Sequence, residues 1–121
     1  MRRILIVDDE RLLLHSLAKY LSIKNTDVKT VENGSEALKE ITSSLYPLCF
    51  LDINLPDING LEVMKQMKNL SQLTKVAVMT AGYVTDEMKK EIEDSADYFI
   101  AKPFDLSQIT AIADEVLGSG F

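Results

Sequence analysis

The feature that most constrains this chain is a set of short apolar runs, each ending abruptly in a polar residue and each followed by enough sequence for one helix. Ile4-Leu5-Ile6-Val7 stops at Asp8, Leu48-Cys49-Phe50-Leu51 at Asp52, and Val76-Ala77-Val78-Met79 at Thr80. Runs of this length without polar alternation are what a strand covered on both faces requires. Residues 98–101 form a further run, ending at Lys102 and Pro103, and the more polar residues 28–31 read as an edge strand. Between the runs, apolar residues recur at helical spacing. The stripes are Leu13, Leu14, Leu17, Ala18 and Leu21; then Ala37, Leu38 and Ile41; then Val63, Met64, Met67 and Leu70. Residues 85–94 carry a weaker stripe, Met88 and Ile92, and the last helix carries Leu106, Ile109, Ile112, Ala113, Val116 and Leu117. Asn33-Gly34 is read as a chain turn, Pro56 keeps residues 53–57 from entering a helix at once, and Asn59 is read as a helix cap. Parallel strands need crossovers of this length, so the expected fold is a doubly wound α/β domain with helices on both faces.

Composition narrows the function classes. A net charge of −6 argues against a nucleic-acid surface, which needs clustered Lys and Arg. The apolar run after Met1-Arg2-Arg3 ends at Asp8, too early for a signal-peptide core or a membrane span. The single cysteine, Cys49, cannot form an internal disulfide, reads as a small buried hydrophobe and fits a cytoplasmic setting. No repeat, low-complexity stretch or linker interrupts the sequence, so residues 1–121 are expected to form one domain with the tail Gly118-Ser119-Gly120-Phe121.

In a doubly wound sheet, ligands bind beyond the carboxyl ends of the strands. There the sequence places Asp8, Asp9 and Glu10 after the first strand, Asp52 after the third, Thr80 after the fourth and Lys102 after the fifth, with no such residue credited to the second. Each has an ordinary alternative: Asp8 or Asp9 capping the first helix, Thr80 as a plain strand residue, Lys102 as a solvated lysine. Asp52 caps nothing obvious. Carboxylates of Asp8, Asp9 and Asp52 converging on one rim repel one another, by roughly 4 kcal/mol per pair at about 4 Å and an effective dielectric of 20. A hard divalent cation with oxygen ligands offsets that repulsion, with Lys102 as a second counter-charge. Few ligands and an open rim suit Mg²⁺, and Mn²⁺ is expected to substitute. The lone histidine, His15, lies on the polar side of the first helix and reads as surface.

These residues carry a recognisable pattern. Val7-Asp8-Asp9-Glu10, the stretch from Leu51-Asp52 through Pro56-Asp57 to Gly60-Leu61, Met79-Thr80-Ala81 and Phe99-Ile100-Ala101-Lys102-Pro103-Phe104 together resemble the response-regulator receiver family of two-component signalling, over essentially the whole chain. The resemblance implies a flavodoxin-like five-stranded parallel sheet of strand order 2-1-3-4-5. It implies Asp52 as phosphoacceptor. For Mg²⁺ it implies Asp9 and Asp52 as direct ligands with the Asn54 backbone carbonyl, and Asp8 through a bound water. For the phosphoryl group it implies contacts from Lys102, Thr80 and the Ala81 N–H. Thr80 and Phe99 take the switch positions, and the Lys102–Pro103 bond is expected to be cis. The implied donor is a histidine kinase or histidine phosphotransfer protein. The implied output is a downstream effector domain or protein, reached through the fourth helix, fifth strand and fifth helix of a monomer or weak phosphorylation-dependent dimer. Apart from its own phosphotransfer and autodephosphorylation, no enzyme activity is implied. Departures from the family pattern are Phe99 in place of the commoner Tyr, Ser95 in place of Gly, and the small Gly82 and Asn54 beside the site. The last two predict a phosphoryl lifetime of seconds to minutes.

Three rivals fit less well. A haloacid-dehalogenase-type hydrolase needs Asp-x-Asp after the first strand, whereas the order here is Asp8-Asp9-Glu10. A flavodoxin-like cofactor carrier needs a phosphate loop that the acidic residues replace. A pseudo-receiver loses a site residue, and none is missing.

Overall fold

All five expected strands form, and one helix follows each. The computed structural model describes residues 2–22 and 26–118, so residues 119–121 of the expected tail lie outside the described residues. The order is β1 (Arg3–Val7), α1 (Arg11–Leu21), β2 (Asp27–Val31), α2 (Gly34–Ser43), β3 (Leu48–Asp52), α3 (Gly60–Leu70), β4 (Lys75–Thr80), α4 (Asp86–Ser95), β5 (Tyr98–Ala101) and α5 (Leu106–Leu117). The strands are parallel, in the order β2-β1-β3-β4-β5. This is the doubly wound, flavodoxin-like sheet expected from the run spacing and the resemblance.

Alternation along each strand splits the core into two layers. Leu5, Val7, Cys49, Leu51, Val76 and Val78 face α2, α3 and α4, meeting Ala37, Ile41, Val63, Met64, Met67 and Ile92. Ile4, Ile6, Leu48, Phe50, Ala77 and Met79 face α1 and α5, meeting Leu14, Leu17, Leu21, Ile109, Ile112 and Ala113. Cys49 is fully buried and unpaired, and burial pushes its thiol pKa up. Helix α4 buries only Ile92, in keeping with its weak stripe.

Several local expectations are corrected. Asn33-Gly34 does not turn the chain but starts α2: Asn33 is the N-cap, its side chain accepting from the Glu36 N–H at 2.9 Å. Leu70 and Leu106, counted in buried stripes, are about half exposed, each being the terminal residue of its helix. The second strand does end in a charged residue, Glu32, but it pairs with Arg11 at 3.0 Å on the surface. Neither Asp8 nor Asp9 caps α1, whose N-cap is Glu10.

The loop after β3 is fastened at both ends. Asn59 caps α3 as expected, accepting from the Leu61 N–H at 2.9 Å. Asp57 reaches across to α2, its two oxygens accepting from the N–H groups of Gly34 at 2.8 Å and Ser35 at 3.0 Å. Together with Asn33, it satisfies the donors that open a helix. Those bonds, Gly34 first, lower the Asp57 pKa from 3.8 to about 2. A depressed carboxyl contributes stability above its ordinary value, and that contribution is lost as pH falls through the folded value. Asp57→Asn is therefore expected to lower the thermal midpoint at neutral pH and to flatten the loss of stability between pH 3.8 and about 2. Melting curves of both proteins across that range check this, and parallel curves would contradict it.

Candidate functional site

The carboxyl ends of β1, β3, β4 and β5 bring Asp8, Asp52, Thr80 and Lys102 to one rim. Asp8 is fully buried, and Asp52 and Thr80 are nearly so. Lys102 runs between them with a side chain only 9% exposed, close enough to burial that its charge must be answered locally. Its Nζ lies 2.6 Å from Asp8 Oδ2, 3.1 Å from Glu10 Oε1 and 3.3 Å from Asp52 Oδ2. All three ammonium protons thus have carboxylate acceptors.

The backbone holds these groups in place. Asp8 Oδ1 accepts from the Glu10 N–H at 2.9 Å, and Asp52 Oδ1 from the Asn54 N–H at 3.0 Å. Thr80 Oγ1 accepts from the Gly82 N–H at 3.2 Å, and the Lys102 N–H donates to the Thr80 carbonyl at 2.8 Å. The Lys102–Pro103 bond is cis, as expected. Behind Asp52, the Gly60 N–H donates to the Ile53 carbonyl at 3.0 Å, so α3 begins against the backbone of the Asp52–Ile53 step.

Burial raises the Asp52 pKa; the Asn54 N–H counters it, Asp8 raises it further, and Lys102 lowers it. For Lys102, burial acts to lower the pKa, but the contacts with Asp8, Glu10 and Asp52 outweigh burial and the pKa is raised. One lysine therefore balances three carboxylates, leaving an excess of two negative charges.

Oxygens of Asp8, Glu10 and Asp52 all lie within 4.8 Å of one another, a donor set of hard anionic oxygens that fits a small divalent cation. The cluster differs from the expected one in a single residue. Asp9 is exposed and lies outside this set, whereas Glu10, placed at the rim by the sequence but given no role there, lies inside it. Ala81 and Asn54 are exposed at the rim, where a Cβ on Gly82 would meet Asn54 Nδ2 at 3.7 Å. Phe99 is half exposed and lines a groove of about 550 Å³ together with Val84, Ile92 and Ala96, between α4 and β5.

Comparisons with known proteins place the chain in a family and match its fold. The family model described as response regulator receiver domain matches residues 4–114. Among curated proteins, the response regulator ArlR of Staphylococcus saprophyticus is 36% identical over 111 residues, covering 92% of this chain and 50% of that protein. The chain thus spans about half the length of the curated relatives it matches. Among solved structures, the CheY-like response regulator receiver domain protein of Methanospirillum hungatei superposes with a TM-score of 0.86 at 30% identity, covering 99% of both chains. The response regulator TrrA of Thermotoga maritima, solved in complex with Mg²⁺-BeF, superposes with a TM-score of 0.82 at 32% identity, covering 96% of this chain and 99% of that one. Among the described residues, no helix is long and apolar enough to cross a membrane.

Proposed function

This chain belongs to the response regulator receiver domain family of two-component signalling, and from that premise we propose that Asp52 is its phosphoacceptor. The observation that carries the reading is the contact of Lys102 with both Asp8 and Asp52 at the mouth of the sheet. A carboxylate is a competent nucleophile toward phosphorus. An Asp52 oxygen forms the new P–O bond as the P–N bond of a phosphohistidine on a kinase or phosphotransfer protein breaks, and the imidazole leaves with the electron pair. The rest of the site then neutralises the charge on the transferred group. Lys102 turns from Asp52 to the phosphoryl oxygens, Thr80 Oγ and the Ala81 N–H donate to them, and Asp8 keeps Lys102 oriented. Residues 1–121 act as one receiver module on this reading.

Mg²⁺, with which the Thermotoga maritima relative was solved as an Mg²⁺-BeF complex, would supply the remaining positive charge here. Asp9, Asp52 and the Asn54 carbonyl would hold it, with Asp8 acting through a water; Mn²⁺ is proposed to substitute. Small side chains at Asn54 and Gly82 leave the phosphoryl group open to water, favouring a lifetime of seconds to minutes through self-catalysed dephosphorylation. A cytoplasmic location and a downstream effector domain or protein complete the proposal. Monomer or weak phosphorylation-dependent dimer is the proposed assembly.

The switch would run from Thr80 to Phe99. Drawing Thr80 toward the phosphoryl group frees space behind it, and Phe99 moves from its half-exposed position on the groove into that space. Amide NMR tests it. Mg²⁺ followed by acetyl phosphate is expected to shift Asp9, Asn54, Thr80, Ala81 and Phe99 and to reveal exchange in α4. Shifts confined to the rim, with α4 and β5 still, would sink the switch.

A further inference from the structure

Glu10 occupies a position it does not use. It is the N-cap of α1, yet its side chain makes no capping hydrogen bond. Glutamate is not among the residues that favour this position. The side chain turns away from its own helix and across the rim, to the Lys102 ammonium at 3.1 Å. The three acceptors on that ammonium are not equivalent. Asp8 is fully buried and holds the shortest contact, Asp52 is nearly buried, and the Glu10 side chain is 61% exposed.

We propose that Glu10 is a resting-state latch on Lys102, a positioning residue that occupies the third ammonium proton until a phosphoryl group claims it. The inference rests on Asp52 as phosphoacceptor and adds a brake to that site. The pair is exposed on its Glu10 side, where solvent takes up the released carboxylate, so the latch yields at little cost, whereas the buried Asp8 contact does not. Glu10 also opposes the incoming group directly, because its carboxylate adds a negative charge where phosphoryl oxygens must sit. At saturating Mg²⁺, where the place of the Glu10 oxygen among the cation's donors no longer limits the site, both effects have one sign: removing the Glu10 charge speeds phosphorylation.

The test compares wild type with Glu10→Gln, which leaves α1 without any lost cap. In the metal-free protein, the ε-methylene NMR signal of Lys102 is expected to move in the variant. With saturating Mg²⁺, the acetyl phosphate phosphorylation rate is expected to rise about two- to fivefold, the scale of an exposed ion pair. A Lys102 signal unmoved by Glu10→Gln overturns the latch whatever the rates do, and so does an unchanged or slower rate in a protein that phosphorylates. Failure of both proteins to gain a phosphoryl group counts instead against the Asp52 reading, and the latch then stands or falls on the Lys102 signal.

Discussion

Gly60→Ala is expected to lower stability by about 3 kcal/mol or more, although alanine is the better helix former. In a helix interior the exchange ordinarily gains about 1 kcal/mol, and at Gly60, the first residue of α3, the gain is smaller. Here a Cβ on Gly60 would lie 2.2 Å from Ile53 Cα, 2.7 Å from the Ile53 carbonyl carbon and 2.7 Å from the Asp52 carbonyl oxygen. These are backbone atoms, so no side-chain rotation relieves the clash and either α3 or the end of β3 must move. Overpacking a well-packed core costs about 1–3 kcal/mol, occasionally more, and here the obstacle is rigid backbone. Sterics therefore outweigh propensity. Because the atoms displaced carry Asp52, phosphoryl acceptance should fall along with stability. Gly82→Ala is the control: its Cβ meets only Asn54 Nδ2, at 3.7 Å, and should change stability by less than about 0.5 kcal/mol. Urea unfolding of the three proteins measures the difference. A Gly60→Ala protein within about 1 kcal/mol of wild type would show that α3 does not rest on the phosphoacceptor strand as described.

The second large effect is expected from Lys102→Met. The substitution keeps much of the buried stem and removes the charge that three carboxylates share. Asp8, fully buried, then loses the Lys102 ammonium, its cation among the described residues. Breaking a buried pair from one side costs about 3–5 kcal/mol, and the lower end applies here because Glu10 can turn to solvent. The deficit should depend on pH with a definite sign. The Asp52 pKa is raised by burial even with Lys102 present, and losing Lys102 raises it further. A raised carboxyl contributes stability below its ordinary value, and that contribution is lost as pH rises through the folded value. The gap between variant and wild type should therefore be widest near neutral pH and narrow toward pH ~4. Adding Mg²⁺ should recover part of it. A gap that is independent of pH would mean that the ammonium does not compensate buried carboxylates.

Much of this was legible in the sequence because burial on both faces leaves an unmistakable trace. Val7, Leu51 and Met79 are each the last apolar residue before a polar one, and in the structure each is a buried strand residue directly before Asp8, Asp52 or Thr80. What escaped reading is tertiary. Glu10 reads as one more acid before a helix, and only the crossover of the chain brings Lys102, 92 residues away, within its reach. Asp57 reads as the end of the loop that contains Pro56, and nothing local announces that its acceptors serve α2, more than twenty residues earlier. Asn33-Gly34 has turn chemistry, but a Cβ on Gly34 would lie 2.8 Å from Val63 Cγ2, so the glycine is there for close helix packing. Leu70 and Leu106 satisfy a helical period that does not show where the helix ends and its terminal side chain meets solvent.

The most direct test of the central claim is intact-mass spectrometry after acetyl phosphate, with and without Mg²⁺, on wild type and Asp52→Asn. The account predicts a gain of one phosphoryl mass in wild type that requires Mg²⁺ and is absent from Asp52→Asn. No gain in wild type, or a gain that survives loss of the Asp52 carboxylate, would contradict it.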